Sequence, residues 1–139
     1  MEYWFVQHDI DAYWDRPDAI GSPKARALRD RNFRQIRKGD KVVYYAKQKR
    51  TLGLFQISSE RWSELKSWSK RREGPHMTYQ IKPICAGIFK MDPSDFGIGT
   101  TRGRTVIRLS KEQYRMMAAH IVGMEDPENH EGTVALFAK

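Results

Sequence analysis

The residues best able to do chemistry lie near the N-terminus. His8-Asp9, followed by Asp11, stands just after an aromatic run, where an imidazole beside a carboxylate could serve as an acid/base pair. The same residues also suit a plainer task, since Asp9 and Asp11 are good caps for the turn that ends a strand. Other catalytic arrangements are missing. The chain has no phosphate-binding Gly-x-x-x-x-Gly-Lys-Ser/Thr loop, and Gly97-Ile98-Gly99 lacks the third glycine of a dinucleotide fingerprint. His76, His120 and His130 are scattered and Cys85 is the single cysteine, so neither a metal site nor a cofactor is expected. Cys85 lies in an apolar stretch and reads as a buried, inert thiol. No residue set demands an enzyme.

Binding chemistry is better represented. The chain carries four Trp, six Tyr and six Phe. Packing accounts for Phe33, Phe55, Phe89, Tyr114 and Phe137. Trp4, Trp14, Trp62, Trp68, Tyr45 and Tyr79 are harder to bury together in a small domain, so part of this set is expected to line a cleft. A flat aromatic slot beside cations suits a stacked base with its phosphates held at the rim. The charge supports this. The net of +8 is uneven: residues 1–23 carry −4, residues 24–50 carry +9 and residues 51–139 carry +3. A basic block among aromatics is the electrostatic footprint of a nucleic-acid binder, although a solvated surface would also account for it. The phosphate candidates are Arg26, Arg31, Arg34, Lys47, Lys49 and Arg50.

Positioning these groups falls to one domain, residues 1–139. With 40 % hydrophobic and 30 % charged residues the composition excludes wholesale disorder. No apolar run reaches the roughly 18–20 residues of a membrane span. The start, Met1-Glu2-Tyr3-Trp4, has no basic n-region, so no signal peptide is expected; with one cysteine, this points to the cytoplasm. Tyr3–Val6 reads as a strand covered on both faces. Residues 8–23 read as irregular, broken by Pro17, Gly21 and Pro23. Residues 24–37 read as one helix, with Ala25, Leu28, Asn32, Phe33 and Ile36 inward and Arg26, Arg31, Arg34 and Arg37 outward.

Strands are predicted over 41–46 and 51–58, with Lys47-Gln48-Lys49-Arg50 as a basic hairpin tip and Gly53 at a bulge. Residues 59–74 fit either a short helical piece or an ordered loop. A strand over 77–90 is bent or turned into an edge by Pro83. A Gly-rich loop over 91–104 precedes a strand over 105–109. Ser110 and Gln113 form a capping box for a helix carrying Tyr114, Met117, Ala118 and Ile121. An acidic turn, Glu125-Asp126-Pro127-Glu128, leads to a closing strand over 133–137. Tight turns and few helical crossovers predict an α+β fold: a small, curved, mostly antiparallel barrel of five or six strands with short peripheral helices.

The order of these segments resembles the EVE domain, a family of the PUA-like superfamily that also includes YTH domains. The resemblance is carried by Glu2-Tyr3-Trp4-Phe5-Val6, by Arg31-Asn32-Phe33-Arg34-Gln35-Ile36-Arg37-Lys38-Gly39-Asp40, and by Lys41-Val42-Val43-Tyr44-Tyr45. It continues through Gly53-Leu54-Phe55-Gln56-Ile57, Tyr79-Gln80-Ile81-Lys82-Pro83-Ile84 and Leu109-Ser110-Lys111-Glu112-Gln113-Tyr114. It spans about residues 2–122; each motif is weak alone, and their order and spacing are the specific part. It implies a curved, mixed barrel and an aromatic pocket for a modified nucleobase in RNA or DNA. By position, Gln7, His8 and Asp9 would meet the base edge, and Ile20, Gly21 and Ser22 would form the next wall. Many relatives have Trp where this chain has Ile20, so either Trp14 supplies that wall or the pocket is tuned differently. Tyr45, Trp62 and Trp68 complete the cage candidates, followed by Tyr79; Trp4 also fits the barrel core.

Three functions follow: a non-catalytic reader of modified nucleic acid, an enzyme acting on a nucleotide or RNA through His8 and Asp9, and a small-molecule-sensing domain.

Overall fold

The computed structural model describes residues 1–99 and 105–123. Seven strands are hydrogen-bonded into one curled, half-barrel sheet: β1 (Tyr3–Gln7), β2 (Ala19–Pro23), β3 (Lys41–Tyr45), β4 (Arg50–Ile57), β5 (Ser63–Leu65), β6 (His76–Lys90) and β7 (Val106–Leu109). Their order is β2-β6-β4-β3-β1-β7, with β5 also on β6. The pairing is antiparallel except between β1 and β3, which run parallel. The helices are α1 (Ile10–Asp15), α2 (Lys24–Arg29), α3 (Arg31–Gln35) and α4 (Lys111–Gly123), with a 3-10 turn over Pro93–Phe96. The α+β curved-barrel expectation holds. Among the described residues no helix is long and apolar enough to cross a membrane.

The near-continuous apolar runs of β1 and β3 follow from burial on both faces. Trp4, Val6, Val42 and Tyr44 point into the curl with Phe33, Phe55 and Tyr79, while Phe5, Val43 and Tyr45 point the other way, beneath Tyr114, Met117 and Ile121 of α4. Trp4 is therefore core. Its indole N–H donates to Asp40 Oδ2 at 2.9 Å, and the backbone N–H groups of Glu2 (3.0 Å) and Arg37 (2.9 Å) donate to the same carboxylate. One buried acid thus ties the start of β1 to the turn before β3. Tyr79 is core as well, its hydroxyl donating to the Phe33 carbonyl at 2.7 Å.

Several expectations are corrected. Residues 8–23 are not irregular: they form α1 and β2, and β2 pairs residue by residue with the first third of β6. Tertiary pairing overrides the breakers there, because Pro23 closes the strand instead of interrupting it. The helix over 24–37 is two helices. Asp30 leaves helical geometry so that its side chain can accept the Phe33 N–H at 3.1 Å, capping α3. The break re-phases the first half, burying Ala27 and leaving Ala25 and Leu28 exposed. Residues 59–74 contain β5 and a tight turn closed by the Ser69–Arg72 bridge.

Other expectations hold. Gly53 has φ +108° and sits at a register shift, where a side chain would overlap the Cys85 carbonyl oxygen. The β4–β6 register also shifts next to Pro83, in the part of β6 beyond its pairing with β2. The Ser110–Gln113 capping box is made in both directions, at 2.9 and 3.0 Å. The end of the loop over 100–104, the acidic turn 125–128, His130 and the strand over 133–137 with Phe137 lie outside the described residues.

Candidate functional site

The end of β1 runs into a cleft of about 740 Å³, within the usual size range of ligand sites. Five separate segments build it, one of them Thr105 just before β7. Gln7, His8 and Asp9 leave β1; Gly21, Ser22 and Pro23 of β2 continue into Lys24 and Arg26 of α2. Lys47 comes from the β3–β4 hairpin, and Trp68, Arg72 and His76 come from the loop that leads into β6.

The sequence places six of ten pocket candidates here: Gln7, His8, Asp9, Gly21, Ser22 and Trp68. The other four lie elsewhere. Ile20 is fully buried in the curl of the sheet. Tyr45 points under α4, and its hydroxyl accepts the Lys49 N–H at 2.8 Å. Trp14 is 52 % exposed and Trp62 is 37 % exposed, both outside the cleft lining. Ile20 pairs with Tyr79 across β2 and β6, and both side chains lie in the core. Trp68 fills the space over Gly21 instead: a Cβ there would lie 2.6 Å from its Cζ3 and 2.9 Å from the Met77 carbonyl oxygen. The indole is 2 % exposed and is held by its N–H donating to the Ala12 carbonyl at 3.0 Å. His8 meets it edge-on, with ring centroids 5.6 Å apart.

Of the phosphate candidates, Arg26 and Lys47 line the cleft. Arg31 and Arg34 are exposed on α3, away from it. Lys49 turns toward Asp92 at 3.5 Å, and Arg50 donates to Gln48 Oε1 at 2.9 Å. Lys24, Arg72 and His76 are cleft residues that sequence reasoning missed. One signal was available for Arg72: the acids of residues 9–15 require cationic partners. In the fold Arg72 pairs with Asp9 (3.1 Å) and Asp15 (3.6 Å), and Arg71 pairs with Asp15 (2.9 Å) and Asp11 (3.5 Å). The acidic stretch therefore clamps the Trp68–Arg72 loop over the cleft.

Lys47 is delivered by a constrained tip. Lys47, Gln48 and Lys49 all have positive φ (73°, 55° and 58°), a left-handed geometry disfavoured by about 1–2 kcal/mol per residue. The Tyr45 hydroxyl and the Met91 N–H, which donates to the Lys49 carbonyl at 2.8 Å, hold it there. Lys47 Nζ then stands 3.2 Å from Asp9 Oδ1. The hydrogen bond from Lys47 is the chief reason the Asp9 carboxyl titrates below its ordinary value, and Arg72 adds to it.

The floor differs from this charged rim. Burial pushes His8 down from 6.5 to about 4, with the Arg72 charge acting in the same direction and the Gly21 carbonyl opposing. His8 is therefore neutral near pH 7. Its Nδ1 lies 2.8 Å from the Tyr44 hydroxyl, so its hydrogen-bond partner is a phenol and not the neighbouring Asp9. His8 Nε2 and Ser22 Oγ are buried without a hydrogen-bond partner in the protein. The arrangement offers a neutral polar floor, one indole wall and a cationic rim.

No family model matches the chain, and no curated protein matches it. Among solved structures it is similar to the NMR structure of Rpa0253 from Rhodopseudomonas palustris, a Northeast structural genomics consortium target. The TM-score is 0.56 at 11 % identity, covering 94 % of this chain and 99 % of that one. The likeness is one of fold.

Proposed function

We propose that the chain is a non-catalytic, cytoplasmic nucleic-acid-binding module that holds a modified nucleobase in the cleft between β1, β2 and the Trp68–His76 segment. The observation that carries this reading is the division of the cleft into a neutral floor and a cationic rim. His8, Ser22 and Trp68 all line the cleft, and the first two carry polar atoms without a hydrogen bond of good geometry in the protein, a set that suits the edge and the face of a flat heteroaromatic ring. Lys24, Arg26, Lys47 and Arg72 stand around the mouth, where phosphates would lie. The resemblance to EVE domains points to the same cleft through Gln7–Asp9 and Gly21–Ser22. Trp68 takes the role of wall, and Trp14 and Tyr45 leave the expected cage.

The test is fluorescence anisotropy with short single- and double-stranded DNA and RNA oligonucleotides. Each carries unmodified, 5-methylated or 5-hydroxymethylated cytosine, or N6-methyladenine, at low and moderate salt. One modified base is expected to bind about ten-fold tighter than its unmodified counterpart, the discrimination a methyl-sized group supplies. If all four rim cations meet phosphates, the logarithm of affinity falls against log salt with a slope of about −3 to −4. His8→Ala is expected to abolish the preference and Trp14→Ala to leave it intact. Equal binding to every oligonucleotide would reduce the reading to a generic basic surface. No binding at low salt would sink it and bring the small-molecule reading forward.

A further inference from the structure

We propose that Asp9 is a built-in competitor for phosphate at the cleft mouth: its carboxylate occupies the Lys47–Arg72 cation pair until a phosphate displaces it, so the rim alone holds a nucleic-acid backbone weakly. That the phosphate belongs to a nucleic acid rests on the reading above. The occupied cation pair rests on the protein's own contacts.

The geometry sets up the competition. Lys47 arrives on the β3–β4 hairpin tip and Arg72 on the loop before β6, and both line the cleft. Each takes one oxygen of the same carboxylate. Lys47 Nζ lies 3.2 Å from Asp9 Oδ1, and Arg72 Nη2 lies 3.1 Å from Asp9 Oδ2. Two cations that converge on two oxygens of one anion also suit two oxygens of a phosphate. The Lys47 and Asp9 side chains are each more than half exposed, so an anion reaches the pair from solvent.

The three partners are not tied down equally. Arg72 keeps Asp15, whose Oδ2 lies 3.6 Å from its Nη1. Its backbone is fixed as well: its N–H donates to the Ser69 carbonyl at 3.1 Å, and its carbonyl accepts the Trp68 N–H at 3.0 Å. Lys47 is carried by the hairpin tip, where its carbonyl accepts the Arg50 N–H at 3.1 Å. Both cations therefore stay in place when the carboxylate leaves. Asp9 is the movable member. It stands at the N-cap of α1, yet its side chain makes no capping hydrogen bond. An aspartate at that position ordinarily accepts an N–H of the first turn, so a displaced carboxylate has a second place to go. Exposed ion pairs are individually weak, which lets an incoming phosphate break both.

The experiment has two arms. The first is an anisotropy titration over a series of salt concentrations, with a short single-stranded DNA that is either plain or carries one 5-methylcytosine. Asp9→Asn keeps the shape of the side chain and removes its charge. It is expected to bind both strands about ten-fold tighter, since two exposed ion pairs no longer have to be broken. The salt slope is expected to steepen by about one. Asp92→Asn removes an equal charge from the partner of Lys49, on the same hairpin but outside the cleft, and is expected to gain less than about two-fold. In a Lys47→Ala background most of the Asp9→Asn gain is expected to vanish. Weaker or unchanged binding by Asp9→Asn, or an equal gain from Asp92→Asn, overturns the proposal. So does a gain confined to one strand, because Asp9 would then meet the base and not the rim.

The second arm needs neither a nucleobase nor a variant. Inorganic phosphate is titrated into the unsubstituted protein while the Asp9 carboxyl carbon and the Lys47 and Arg72 amides are followed by NMR. All three are expected to move together and to saturate. In Asp9→Asn the two amides are expected to saturate at about ten-fold lower phosphate. An Asp9 carboxyl that stays put overturns the proposal, even if the variant does not fold. If phosphate displaces Asp9 while neither strand binds, the nucleic-acid reading fails and the competing carboxylate stands.

Discussion

The two sides of the sheet solve different problems. Beneath α4, Phe5, Val43, Leu54, Phe89, Met117 and Ile121 close a dry apolar layer, and the helix above it begins with both halves of its capping box made. At the end of β1 the same sheet stops short of closure. There, polar atoms of His8 and Ser22 are buried without protein partners, three consecutive side-chain-bearing residues adopt left-handed geometry, and Lys47 and Arg72 converge on Asp9. Local rules and global fold agree on the first side and conflict on the second. A protein that keeps such conflicts keeps them where something other than stability is served.

The largest expected effect lies on the satisfied side. Met117 is fully buried under the sheet, so Met117→Ala is expected to lower stability by about 2–5 kcal/mol through lost burial and a cavity. Denaturant unfolding measures this. Affinity for oligonucleotides, corrected for the folded fraction, is expected to stay unchanged. If affinity falls in step with stability, the two sides are coupled and the comparison breaks.

The next effect belongs to the cleft and depends on pH. His8 titrates at about 4 in the fold against 6.5 when unperturbed. The unfolded chain therefore takes up the proton first as pH falls. The contribution of neutral His8 is present above pH 6.5 and drains away between 6.5 and 4, amounting to about 3 kcal/mol by linkage. Chemical denaturation at a series of pH values should show this slope in the unsubstituted protein and a flatter one in His8→Phe. Equal slopes would mean that the ring is solvated and the floor is open to bulk water.

How far the sequence reached follows the same division. The α4 side was legible because each of its signals is local: the Ser110–Gln113 spacing, the Tyr114–Ile121 periodicity, and the apolar runs of β1 and β3. In the cleft, residue chemistry alone singled out His8 and Asp9, while Gln7, Gly21 and Ser22 were expected only by position from the resemblance to EVE domains. The site was lost where distant segments meet. Trp68, Trp62 and Trp14 look alike in sequence; only the close approach of Gly21 and the Ala12 carbonyl separates the first as a wall. Arg72 was hidden in a stretch without periodicity, since its position comes from ion pairs to residues more than fifty positions earlier. Asp30 read as helix interior because the apolar spacing runs on through it, and the break that lets its carboxylate accept the Phe33 N–H leaves that spacing unmarked.

The smallest stability effect is the sharpest test of the contrast. The Ser22 hydroxyl is buried in β2, paired through its backbone with Met77, and has no partner in the protein. In a satisfied core, removal of a buried hydroxyl strands its partner and destabilises. Here no protein group is stranded, so Ser22→Ala is expected to change stability by less than about 1 kcal/mol, in the stabilising direction. Binding of the preferred oligonucleotide is expected to fall about ten-fold, because the hydroxyl then reserved for the ligand is gone. A thermal melt and an anisotropy titration on the same sample separate the two quantities. Should the melt show destabilisation instead, Ser22 would be bonded within the resting protein through bound solvent. The cleft floor would then be as complete as the layer under α4, and its unmade bonds could no longer be assigned to a ligand.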